Sequence, residues 1–320
     1  MAHKNLIWCD KALLEKDLSG KTYVVTGANS GVGLETTRQL EKQGAHVIMA
    51  CRRPDAAAEV AKEFEGLAGT VDILRCDLAD LDSVRAFAEA FHAKYEVIDG
   101  LMCNAGMVNM DSKPAFTKDG FELTIGISYF GHFLLTELLL EALKKSPDGR
   151  YGILSSVVHA GSPKNRYQVH LDDLNFERRD YSNFGAYGEA KVATTLYALE
   201  LADRLQGSNV TTASIHPGWA RSNFGQGGPA LMRVAMFLMK PILPFVSDSS
   251  WESAQTSMHV LLSEDARNHS GAYFSQHSVL YQDKECRKGG WPMETPNPHA
   301  RDLKAAKALV AKSRELVGLS

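Results

Sequence analysis

Short apolar runs rich in β-branched residues recur along this chain, each followed by a stretch with helical periodicity. The runs are TYVVT at 22–26, AHVIMAC at 45–51, TVDILRCD at 70–77, IDGLMCNAG at 98–106, RYGILSS at 150–156 and NVTTASIHPG at 209–218. Helical patterns follow at 34–44, 54–65, 81–94, 117–145 and 184–206, with a last one at 300–317. Short strands joined by helices of this length need right-handed crossovers, which build a parallel sheet covered on both faces. The expectation is an α/β fold: a doubly wound parallel sheet of about seven strands with helices on both faces. The simplest division is a single domain over 1–320, with an N-terminal extension at 1–19 and a C-terminal extension at 276–320. Two segments break the alternation: the polar stretch 157–183, and 219–250, which holds LMRVAMFLMKPILPFV at 231–246. Long insertions on the carboxyl side of such a sheet build ligand pockets. The apolar segment reads as a substrate lid, a core or dimer-facing helix broken at Pro241, or a membrane-surface contact.

The first strand runs into TGANSGVG, which places Gly27, Gly31 and Gly33 between a strand and a helix. Glycine permits the tight turn and lets backbone N–H groups approach a pyrophosphate, and the helix N-terminus adds its positive end. An ordinary tight turn is the plainer alternative, but this position after the first buried strand marks a dinucleotide-binding (Rossmann) site. The second strand ends Ala50-Cys51-Arg52-Arg53. An NAD site normally carries a carboxylate there for the ribose 2′-hydroxyl. Guanidinium groups suit the 2′-phosphate of NADP(H), unless both arginines are merely solvated. Asp77, ending the third strand, is either an adenine acceptor or a helix N-cap.

Tyr187 and Lys191 in AYGEAK share a helix face at i and i+4. A free tyrosine ionises near pH 10, and a neighbouring ammonium lowers that value, giving a proton carrier. The spacing alone is common on helix surfaces. Its weight comes from lying in the helix after the fifth strand, whose end carries Ser155 and Ser156. One of these serines could hold a substrate oxygen and the other be structural.

Net charge is −3 with no basic stripe, which gives a nucleic-acid partner no electrostatic support. The segment before the first strand has neither a signal-peptide core nor an apolar span. Five cysteines (9, 51, 76, 103 and 286) without metal-ligand spacing suggest free buried thiols, no metal and a cytoplasmic location. His159 and His170 read as surface or loop residues, and His216 as shaping a strand-end corner.

TGANSGVG, CNAG at 103–106, the serines at 155–156, YGEAK and HPGWARS together resemble the short-chain dehydrogenase/reductase family over residues 20–275. ACRR, DGFELTIGISYFGHFLLTELLL, HLDDLNF and SGAYFS are similar to its retinol-dehydrogenase-like branch, which includes protochlorophyllide reductases. The resemblance implies that Gly27, Asn29, Ser30, Gly31, Val32 and Gly33 hold the cofactor. It adds Arg52, Arg53, Asp77, Leu78, Asn104, Ala105, Gly106, Pro217, Gly218 and Ser222. It makes Ser156 the group that orients substrate, Tyr187 the proton carrier, and Lys191 the residue that tunes Tyr187 and holds the nicotinamide ribose.

Three departures stand out. Ser128 replaces the family's asparagine in a run like NHLGHF, which puts the proton relay in doubt. Trp219 follows the Pro-Gly where protochlorophyllide reductases carry cysteine. The N-terminal membrane helix common in animal retinol dehydrogenases is not seen. The resulting expectation is an NADP-preferring oxidoreductase acting on a small-molecule carbonyl or alcohol substrate, bulky and apolar, with Ser128, Ser156, Tyr187 and Lys191 as catalytic residues. Reduction of a conjugated C=C bond and a catalytically decayed regulatory or scaffold protein are the alternatives. A homodimer is left open.

Overall fold

The six apolar runs fold as β1 (Thr22–Thr26), β2 (His46–Cys51), β3 (Thr70–Arg75), β4 (Gly100–Cys103), β5 (Gly149–Leu154) and β6 (Val210–His216), joined by β7 (Ala272–Ser275). The computed structural model describes residues 6–220, 247–276 and 291–319. All seven strands form one parallel sheet in the order β3-β2-β1-β4-β5-β6-β7. Both faces are covered, which is why the inner strands read as continuous apolar runs. Every residue of β4 and β6 is buried, whereas β3, at the edge, has none that is.

Among the described residues, the helices of eight residues or more are α1 (Gly31–Lys42), α2 (Pro54–Ala61), α3 (Leu81–His92), α4 (Gly131–Lys144), α5 (Asn183–Arg204), α6 (Ser250–Leu262) and α7 (Leu303–Leu316). Because strand side chains alternate between faces, neighbours such as Val24 and Val25 enter different cores. Val24 joins Phe87 of α3, Phe133 of α4, Leu196 of α5 and Leu309 of α7. Val25 joins Leu40 of α1, Ala57 of α2 and Met258 of α6.

The structure departs from the sequence reading in several places. The long helix of 117–145 does not begin at 117, because Gly120 sits at φ +83° in a turn closed by Thr117 N–H donating to Phe121 O (2.8 Å). Helix starts at Leu123, then widens into a π turn over Gly126–Phe130 before α4. The sequence reading missed α6. Its buried residues mix polar Ser253, Gln255, Thr256 and Ser257 with Ala254, Met258 and Leu261, which dilutes the apolar period that would mark it. Asp77 is no helix cap: Asp80 caps α3, accepting from the N–H groups of Asp82 and Ser83. His159 is fully buried, not at the surface.

Cys9, Cys51, Cys76 and Cys103 are free and buried, while Cys286 lies outside the described residues. Burial pushes the Cys51 thiol up to about 11 and Cys103 up to about 12. Among the described residues no group of side chains has the makings of a metal site. One stretch among them, Leu123–Lys144, is long and apolar enough to cross a membrane, and 78% of its most apolar window is buried inside the fold. The end of the chain packs back on the sheet's helices: Tyr129 OH meets Ser313 Oγ at 2.8 Å, and Arg314 pairs with Glu137 at 2.7 Å.

Candidate active site

The chain leaves β1 toward β2 on one side, and β4 lies on the other. The connections after their carboxyl ends therefore diverge, leaving the crevice where open α/β sheets bind ligands. The glycine turn lines it. Gly27 and Gly31 have φ of +63° and +57°, a region L side chains rarely adopt. Gly33 is required by contact: a Cβ there would lie 2.4 Å from Asn104 Nδ2 and 2.6 Å from Gly27 O. Ser30 caps α1 without a side-chain hydrogen bond, so its hydroxyl does not occupy the first-turn N–H groups. This is a cradle fitted to an anionic pyrophosphate. Asn29 Oδ1 accepts from the Cys51 thiol at 3.8 Å, and Val32 is buried beneath the turn.

Gly27 N–H donates to Ala50 O (3.0 Å), tying the turn to the end of β2 and bringing Arg52 and Arg53 beside the cradle, both exposed. Asp77 Oδ1 accepts from Ala79 N–H (3.1 Å), which closes the turn after β3. Leu78 is buried in the core beneath, where a Cβ on Gly131 would meet its carbonyl at 2.5 Å.

Beneath the cradle, Asn104 Nδ2 donates to Thr26 O (2.9 Å), stitching β4 to β1. The N–H groups of Asn104 and Ala105 both donate to Thr26 Oγ1, each at 2.9 Å. Those two bonds use both acceptor sites of the hydroxyl, so its own proton goes to His132 Nε2, 2.8 Å away. His132 Nδ1 then carries the ring hydrogen and donates to Ser128 O at 3.2 Å. Burial depresses His132 to about 4, which keeps the ring neutral as this pattern requires. Ser128 lies in the π turn, 1% exposed, and its Oγ has no hydrogen-bond partner among the described residues. A Cβ on Gly106 would be 3.5 Å from both Ser128 Oγ and Lys191 Nζ, so these two polar groups border the same space.

Helix α5, capped by Ser182, brings Tyr187 and Lys191 to that space. Lys191 Nζ donates to Leu154 O (2.7 Å) and sits 5.6 Å from the Tyr187 ring centre. The two serines that follow β5 have different partners. Ser155 Oγ donates to Lys191 O (3.0 Å) and lies 2.8 Å from Thr195 Oγ1, a structural tie. Ser156 Oγ accepts from Val158 N–H (3.2 Å) and is close enough to the Tyr187 phenol to act on its ionisation. Burial pushes the Tyr187 phenol up to about 12, with the Ser156 hydroxyl pulling the other way, and lowers Lys191 to about 7. Desolvation sets the direction of this Tyr187 shift, opposite to the lowering that a neighbouring ammonium alone would cause.

Gly218, at φ +88°, follows β6 beside Pro217, and a Cβ on it would lie 2.3 Å from Asp248 Oδ2. That carboxylate accepts from Trp219 N–H at 3.0 Å. Ser222 and the apolar segment 231–246 lie outside the described residues. The sequence reading missed Thr26, His132, Thr295, Asn297 and Asp248 as site supports. Only Thr26, inside the glycine motif, and His132, beside Ser128, had a local signal.

Residues 21–166 match the family model of the short chain dehydrogenases. Retinol dehydrogenase 13 of Mus musculus is 36% identical over 95% of this chain and 85% of its own length. Retinol dehydrogenase 12 of Homo sapiens is 39% identical over 94% of this chain and 88% of its own. Among solved structures, an uncharacterized protein from Mycobacterium paratuberculosis superposes with a TM-score of 0.71 at 29% identity, covering 95% of this chain and 96% of that one. RhlG of Pseudomonas aeruginosa, solved as an NADP complex, shares the fold at a TM-score of 0.64 and 20% identity, over 81% of this chain and 95% of that one.

Proposed function

The chain belongs to the short-chain dehydrogenase/reductase family, in its retinol-dehydrogenase-like branch, and on that premise we propose that it is an NADP(H)-preferring reductase of a bulky apolar carbonyl compound. The observation that carries this reading is the cluster of Tyr187 with Lys191 Nζ 5.6 Å from its ring, Lys191 bordering Gly106, and the Ser156 hydroxyl acting on the Tyr187 phenol. Gly27, Gly31, Gly33 and the start of α1 would hold the pyrophosphate, Arg52 and Arg53 the 2′-phosphate, and Lys191 the nicotinamide ribose. A bound nicotinamide supplies the hydride.

The protein's own share is the proton. Ser156 and Tyr187 present two hydroxyls to one substrate oxygen. A phenol raised to about 12 is protonated at neutral pH, so Tyr187 is equipped to donate to the forming alkoxide, the direction of reduction. Lys191 stands where its charge offsets the phenolate left behind. Support for a bulky apolar substrate comes from two exposed aromatics: Phe184, one turn before Tyr187 on α5, and Trp219 after Gly218. The two mammalian relatives are named for retinol, a molecule of that class.

The test is NADPH oxidation against a panel of aldehydes, ketones and enones, with Tyr187→Phe alongside. The variant should lose ~10²–10⁴-fold in rate while binding NADPH normally. A variant that keeps more than about a tenth of the carbonyl activity would mean Tyr187 is not the acid and would move C=C reduction forward. In the same titrations NADPH should bind roughly ten- to a hundredfold tighter than NADH, as a charge-assisted phosphate contact requires.

A further inference from the structure

Ser156 is held from behind by His159, which is held in turn by Thr295, distant in the chain. The ring of His159, fully buried, approaches Ser156 O through Nδ1 and the Thr295 hydroxyl through Nε2. A carbonyl oxygen only accepts, so the ring hydrogen is on Nδ1. Burial drives His159 down to about 4, so the ring is neutral and Nε2 offers a lone pair, to which Thr295 donates. Thr295 in turn accepts from Asn297 N–H (3.3 Å). Asn297 Nδ2 donates to both His159 O and Tyr167 O, each at 2.7 Å, which pins the turn and the segment together. The segment is itself anchored to β7 by Met293 N–H donating to Tyr273 O (2.9 Å) and Trp291 Nε1 to Ser275 O (3.0 Å).

The same wiring stands behind the other serine of the site. His132 gives its Nδ1–H to Ser128 O and takes the Thr26 hydroxyl proton on Nε2. Two neutral imidazoles, each fixed by a threonine, thus grip the main chain of two site serines. We propose that His159 is a positioning residue for Ser156, locked in its Nδ1–H form by the Thr295 hydroxyl, so that segment 291–297 completes the active site. The proposal rests on the carbonyl-reductase reading above.

The physical consequence concerns a pivot. Ser156 caps the short turn Val157–Ala160 through Oγ, and its carbonyl is the other fixed point of that turn. Without a donor on Nε2, the buried ring has an unsatisfied acceptor and is no longer held in one orientation. Its grip on the carbonyl loosens, and Ser156 Oγ shifts relative to Tyr187. A misplacement of about 1 Å can cost on the order of a hundredfold in rate without changing what is bound.

The experiment compares the full-length wild type with Thr295→Val, which keeps shape and removes the hydroxyl, and Thr295→Ser, which keeps the hydroxyl. Expected is a fall in kcat of roughly ten- to a hundredfold for the valine variant, with KM and NADPH affinity unchanged, and recovery with serine. A ¹⁵N histidine spectrum of the wild type supplies a readout that needs no variant: His159 should show a protonated Nδ1 and an unprotonated Nε2 at pH 7. Full kcat in Thr295→Val, equal loss in the serine variant, or a protonated Nε2 in the wild type would each overturn the proposal. A wild type silent on every carbonyl counts instead against the proposed function, which keeps the two failures apart.

Discussion

Lys191 is a buried cation in a chain that would be more stable without it. It is 3% exposed, and burial depresses its pKa to about 7. In the unfolded chain a lysine holds its proton to about 10.4. Between those values the unfolded state binds more protons, so stability rises as pH climbs from 7 toward 10. Below 7 the full penalty is present. Lys191→Met should therefore resist urea better than wild type at pH 6, by a few kcal/mol less the ~1 kcal/mol of its bond to Leu154 O, while turnover collapses. A methionine variant less stable at pH 6 would refute this. The Tyr–Lys spacing was legible in the sequence because it is a helix-face pattern. The direction of the Tyr187 shift was not, because burial is a property of the packed site. Strand spacing by itself could not sort Ser155 from Ser156, which only the family resemblance separated, since alternation assigns neighbouring residues to opposite faces only once the neighbours are known.

At the scale of elements, the join between β1 and α1 is as tight as backbone allows. A Cβ on Gly33 would press on Asn104 Nδ2 and Gly27 O at 2.4 and 2.6 Å, so α1 would have to lift away. Gly33→Ala should cost about 1–3 kcal/mol in stability and weaken dinucleotide binding, read by thermal unfolding and fluorescence titration. Gly106→Ala is the contrast, because its Cβ would make ordinary contacts at 3.5 Å and leave folding intact. Equal effects from the two variants would count against this account. The glycine spacing declared that join in advance. The π turn at Gly126–Phe130 could not be foreseen, since nothing in the spacing of GISYFGHF marks where a helix widens. Helix α6 was hidden for a different reason, its buried positions mixing Ser253, Gln255, Thr256 and Ser257 among the apolar ones.

Across the whole molecule, the parallel sheet gives its two ends different work. Every candidate catalytic group placed here lies at or over the carboxyl ends of the strands. At the amino ends, Asp99 is a buried hub that accepts from Thr22 N–H (2.9 Å), Lys21 Nζ (3.0 Å) and Ser146 Oγ (2.8 Å). Arg150, 2% exposed, reaches Asp148 and Ser263 O on the same side. Asp99→Ala should lower unfolding stability by about 1–3 kcal/mol and leave KM and the pH profile of the surviving enzyme as they were. A changed pH profile would show that the ends are not independent. If they are independent, the sheet sorts the consequences of random mutation by address. Drift at the amino ends would be felt as cellular abundance. Drift at the carboxyl ends would be felt as a change of substrate, in a molecule still present at full dose.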